Sequence, residues 1–100
     1  MYWKRLTRFC RKTADREVNL MLANNLSAGM HGITVFNYKS ADIVVNLDYC
    51  KDDTGIAQAI AHELAHIVMG TSDHGNVWSE LMSKYYDAIM EKMERIPGVG

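Results

Sequence analysis

The chain reads as an α+β domain, a small, mostly antiparallel three-stranded sheet packed against three helices. Three observations predict this. Apolar residues recur at helical spacing at the start of the chain and again through its second half. Three short runs rich in branched residues lie between these segments, bounded by turn residues. Hydrophobic residues make up 48% of the sequence and there is one proline, a composition that folds around a core.

Taken in order, Trp3, Leu6, Cys10 and Thr13 recur on one side of a segment whose other side is basic, which predicts an amphipathic helix over about 2–14. Glu17 to Ala23 (EVNLMLA) reads as a strand, and Asn24-Asn25 with Ser27-Ala28-Gly29 supply turn chemistry after it. Gly32 to Tyr38 and Ala41 to Asp48, linked by Lys39-Ser40, should form an antiparallel hairpin. One of Asp52, Asp53 or Thr54 should cap a helix running from Gly55 to Met69, with Gly70 placed to end it. A third helix is expected from about Asn76 to Arg95, with Val77, Leu81, Tyr85 and Ala88 at helical steps. One domain, 1–96, with a flexible tail over 97–100, accounts for all of it.

The net charge of -1 conceals an asymmetry. Lys4, Arg5, Arg8, Arg11, Lys12 and Arg16 face only Asp15 in the first 16 residues, a charge of +5 that leaves -6 on the remainder. No apolar run reaches the roughly 18 residues that span a bilayer, and MYWKRLTRFCRKT lacks a signal peptide's apolar stretch, so a cytoplasmic protein is expected. Cys10 and Cys50 are too few for a disulfide scaffold and are expected as free thiols.

The chemistry concentrates in HELAHIVMGTSDHGNVW, residues 62–78. Positions four apart lie on one helical face, so His62 and His66 can address one cation. Glu63 is turned away by about a quarter of a turn. That is poor for a ligand and good for reaching a water beside the metal, which is the physical content of HExxH. A catalytic zinc site has three protein ligands. If the helix stops at Gly70, the short link Thr71-Ser72-Asp73 turns the chain back and makes His74 the expected third, with Asp73 either a competing ligand or a carboxylate that orients an imidazole. Two histidines and a glutamate inside the apolar run IAQAIAHELAHIVM would otherwise be buried at a cost of kilocalories each, which favours the metal reading over ordinary core histidines.

HELAH followed by HGNVW and a helix resembles the zincin metallopeptidases, most closely the SprT-like group with its WLM and YgjP-like relatives. The strand ADIVVNLD and the acidic turn before the motif also match that group's arrangement, and the resemblance spans about residues 41–90. It implies a zincin-like fold and one Zn2+ held by His62, His66 and His74. It further implies Glu63 as catalytic base and Trp78 as the aromatic that packs the following helix under the site. Other zincin classes fit less well: a metzincin would need glycine at Met69 and histidine at Ser72, while a gluzincin would draw on Glu80 and an aspartate-ligand zincin on Asp73. The expected activity is zinc-dependent hydrolysis of peptide bonds, in which Glu63 takes the proton of a metal-activated water and passes it to the leaving nitrogen.

An extended polypeptide substrate would pair with an edge strand beside the motif helix, with Ala41 to Leu47 as the candidate. His31, Tyr49, Tyr85 and Tyr86 are candidate oxyanion partners. A different class of function is a zinc-stabilised nucleic-acid-binding module without catalysis, gripping DNA or other nucleic acid through Lys4, Arg5, Arg8, Arg11 and Lys12, with Tyr2, Trp3 and Phe9 stacking bases. The same helix could instead lie on a membrane surface.

Overall fold

The computed structural model of the chain describes residues 2–25, 30–71 and 74–94. The expected turn residues Ser27 to Gly29, Asp73, and the chain beyond Glu94 with its tail over 97–100 lie outside the described residues. The elements follow the expected order: α1 (Tyr2–Ala14), β1 (Glu17–Ala23), β2 (Gly32–Phe36), β3 (Ser40–Asn46), α2 (Asp53–Met69) and α3 (Asn76–Glu94). Among the described residues no helix is long and apolar enough to cross a membrane.

The sheet differs from the expectation of a mostly antiparallel one. Its order is β1-β3-β2. β2 and β3 form the antiparallel hairpin, closed where the Asn37 N–H donates to Ser40 O at 2.8 Å, but β1 runs parallel to β3 from Glu17↔Ser40 to Ala23↔Asn46. Alternation reports which face a residue takes and is silent about which strands are neighbours. Here β3 is the most deeply buried strand, and the central place gives it partners on both edges; Ala41, Ile43 and Val45 are fully buried. The hairpin therefore turns β3 in beside β1, leaving β2 as an outer strand. This also corrects the expected docking strand, since Ala41 to Leu47 has no free edge until its last residue.

One face of the sheet carries the core. Val18 and Leu20 of β1 and Ala41, Ile43 and Val45 of β3 pack with Ala57, Ile60, Ala61 and Leu64 of α2 and with Leu6 and Cys10 of α1. Tyr85, Ile89 and Met93 bring α3 onto the same cluster. Four buried alanines on α2 keep that helix slim, so it can sit against the sheet and two other helices at once. Both cysteines are free, as expected, and both are buried; burial pushes the Cys10 thiol up to about 12.

Both ends of α2 follow local rules. Asp52 is the cap, in extended backbone, its carboxylate accepting from the Gly55 N–H at 2.9 Å. Gly70 closes the helix in the left-handed region at φ +69°, its N–H donating to His66 O at 2.8 Å.

Candidate metal centre

His62 and His66 stand one turn apart on α2, and both are half-buried. After Gly70 reverses the chain, His74 returns to them just before α3 begins. His66 Nε2 lies 3.2 Å from His62 Nε2 and 3.1 Å from His74 Nε2. The three ligand atoms all lie within 4.8 Å of one another, close enough to bind one metal ion. Three nitrogens at the corners of a tetrahedron with bonds of zinc–imidazole length sit roughly 3.3 Å apart, which the two spacings from His66 match.

The donor chemistry fits as well. The Thr71 carbonyl lies 2.9 Å from His66 Nδ1 and accepts its proton, which leaves a single lone pair on Nε2. Two other ring nitrogens point at that lone pair, and one N–H can use it well. A cation resolves the crowding, because all three nitrogens then donate. Burial pushes His62 below its ordinary value; the Glu63 carboxylate opposes this, and His66 and His74 add to it. At neutral pH His62 is thus the neutral, ligating form, and its 3.9 Å separation from Glu63 Oε2 is a spacing rather than an ion pair.

Trp78, from the first turn of α3, forms a wall against all three rings. Its indole stacks on His66 at 28° with centroids 5.3 Å apart, and meets His62 and His74 edge-on at 4.8 and 4.6 Å. The wall limits rotation of the imidazoles, which matters most for His74, on a link rather than a helix.

Glu63 lies on the other side of His62, its side chain only 12% exposed. Its Oε1 accepts a 2.6 Å hydrogen bond from the Thr34 hydroxyl of β2. A cleft of about 400 Å³ opens beside them, lined by Met30, His31, Gly32, Gln58, Ala59, His62, Glu63 and Met82. Gly32 lets β2 come this close: a Cβ there would lie 3.0 Å from Val44 O and within 3.8 Å of Glu63 Cγ. Buried Asn46 fixes the rim, donating from Nδ2 to Met30 O at 2.7 Å while its Oδ1 accepts the Asp48 N–H. The Cys50 thiol donates to His31 O at 3.4 Å.

Thr34, Gly32 and Asn46 escaped the sequence reading. A polar Asn after the apolar run IVV was the one local signal; Thr34 gave none, because its partner is 29 positions away.

Of the candidate oxyanion groups, His31 lines the cleft. Tyr85 is 6% exposed in the core against Phe9, Tyr86 packs on that core, and the Tyr49 ring rests 5.8 Å from His31. On α1, Arg5 donates to Lys92 O, and Arg11 donates to Val18 O and pairs with Glu17. Lys4, Arg8 and Lys12 remain exposed along one side. Tyr2, Trp3 and Phe9 pack against the core, and the Tyr2 hydroxyl donates to Asp53, so the structure does not present them as an open stacking face. Glu80 is exposed on α3 and is not part of the histidine cluster.

No protein-family model matches the chain, and comparison with curated proteins and with solved structures gives no match.

Proposed function

We propose that the chain is a zinc-dependent metallopeptidase with a minimal zincin-like fold of the SprT-like kind. The observation that carries the reading is the convergence of three imidazole Nε2 atoms beside a carboxylate that is not itself a ligand, at the edge of an open cleft. His62, His66 and His74 would hold one Zn2+. When bound, the ion supplies Lewis acidity toward water and toward a carbonyl oxygen.

The remaining work belongs to the chain. Glu63 has one oxygen engaged by Thr34 and the other, Oε2, on the side of His62. Oε2 takes the proton of the attacking water and returns it to the departing nitrogen. β2 supplies a place for the substrate. Asn46 N–H donates to His31 O and Asn37 N–H to Ser40 O, so the residues facing β3 are His31, Ile33, Val35 and Asn37. The backbone N–H and C=O groups of Gly32, Thr34 and Phe36 point the other way, to an edge that no strand covers among the described residues and that an extended polypeptide can pair with.

The test is hydrolysis of an unfolded polypeptide by the zinc-loaded protein. Glu63→Gln should keep one zinc per chain and lower the rate by about 10²- to 10⁴-fold, the usual worth of a general base. Wild-type activity in that variant refutes the role of Glu63. A wild-type protein that takes up zinc but cleaves nothing refutes the peptidase.

A further inference from the structure

Glu63 is a largely buried carboxylate beside a histidine, at the end of a side chain with three rotatable bonds. A general base of this kind works only if one oxygen is held toward the reacting water. The contact that holds it comes from β2. At 2.6 Å, Thr34 Oγ1–H···Oε1 has the length of a charge-assisted hydrogen bond. Thr34 is itself fixed, since Ile33 and Val35 on either side pair with Val44 and Asp42 of β3.

We infer that Thr34 is a positioning residue for the base: its hydroxyl pins Glu63 Oε1 and so commits Oε2 to the proton transfer. The inference rests on the peptidase reading for its catalytic consequence, and on the hydrogen bond for its geometry. It adds a link between substrate and base. The side chain of Thr34 grips Glu63 on the helix side of β2, while its own N–H and C=O face the free edge. A peptide paired to that edge is registered against the residue that orients the base.

Valine has the shape of threonine without the donor, and serine keeps the donor. Thr34→Val should bind zinc with unchanged stoichiometry and keep KM within about twofold, because the strand edge is intact, while kcat falls by roughly 10- to 100-fold. Thr34→Ser should recover most of kcat. A second measurement needs neither metal nor activity: a double-mutant cycle of Thr34→Val with Glu63→Ala, by urea unfolding of the metal-free protein, should show coupling of about tenfold or more in the unfolding constant, as for a hydrogen bond to a charged group.

Additive effects in the cycle overturn the inference, as does a Thr34→Ser variant as slow as Thr34→Val. Hydrolysis lost in Glu63→Gln but untouched in Thr34→Val overturns Thr34 alone and leaves the peptidase standing. Absence of hydrolysis in the wild-type protein overturns the peptidase and the catalytic use of Thr34 together.

Discussion

Replacing His74 by alanine tests the metal centre most directly, because His74 contributes to the site and little to the core. It is exposed, on the link between α2 and α3, and its Nε2 is 3.1 Å from that of His66. In the metal-free protein the change should move stability by no more than about 0.5 kcal/mol, as for an exposed position. With zinc the outcome is different. At a free zinc concentration 100 times the wild-type Kd, binding to the folded chain alone stabilises it by about 2.7 kcal/mol. For a chain of this length each kcal/mol moves Tm by roughly 4–8 °C, so zinc should raise the wild-type Tm by about 10–20 °C. Loss of one ligand in three should weaken affinity by at least about 100-fold, since even the partners that merely orient ligands are worth 10–100-fold. The same zinc concentration then equals the variant's Kd and stabilises it by about 0.4 kcal/mol, or 2–3 °C. Thermal melting with and without zinc reads both numbers, and Asp73→Ala in parallel should keep the wild-type response. An equal zinc-induced rise in wild type and His74→Ala refutes the ligand assignment, and a response lost in Asp73→Ala but kept in His74→Ala transfers the role to Asp73.

Gly70→Ala should lower Tm by roughly 4–8 °C, because a Cβ there meets nothing within 4 Å and the whole cost, about 1 kcal/mol, is that of a left-handed backbone at φ +69°. An unchanged Tm would show that this conformation is not required. The folded-state value of His62 lies below its ordinary value of 6.5. As pH falls through 6.5 the unfolded chain therefore takes up its proton first, so the metal-free protein is at full stability above that pH and loses some between 6.5 and the folded-state value. Urea unfolding at pH 7.5 and 5.5 should show this loss, and His62→Gln should reduce it; an identical slope in the variant would assign the loss to other groups.

How far the site was legible depends on how local its causes are. His62 and His66 are set by helix geometry alone, and the end of the helix by one glycine, so HELAH and Gly70 were enough to place the first two histidines and to narrow the third partner to Asp73 or His74. Asp52 could be narrowed to three adjacent residues but not chosen, since the cap is decided by which backbone stays extended. The sheet order was not legible. Alternation in Gly32 to Tyr38 and Ala41 to Asp48 predicts a hairpin, and the position of that hairpin against β1 depends on which strand gains most from two partners. The charge of α1 was plain in the sequence, whereas the partners that Arg5 and Arg11 find, Lys92 O and Val18 O, come from other elements.

The placement of polar groups on α2 argues for a ligand independently of any motif. This helix is the most enclosed of the three, and its residues Ala57, Ile60, Ala61, Leu64, Ala65 and Ile67 are all buried. Yet His62, Glu63 and His66 occupy half-buried positions where leucine or methionine would remove more apolar surface from water. Burial already disfavours the charged form of His62, and three ring nitrogens drawn to within 4.8 Å compete for too few protons. A chain of 100 residues has little stability to forgo. Polar residues that work against folding persist where they serve something the folded chain must do. Here they crowd their lone pairs onto one point, which a cation relieves.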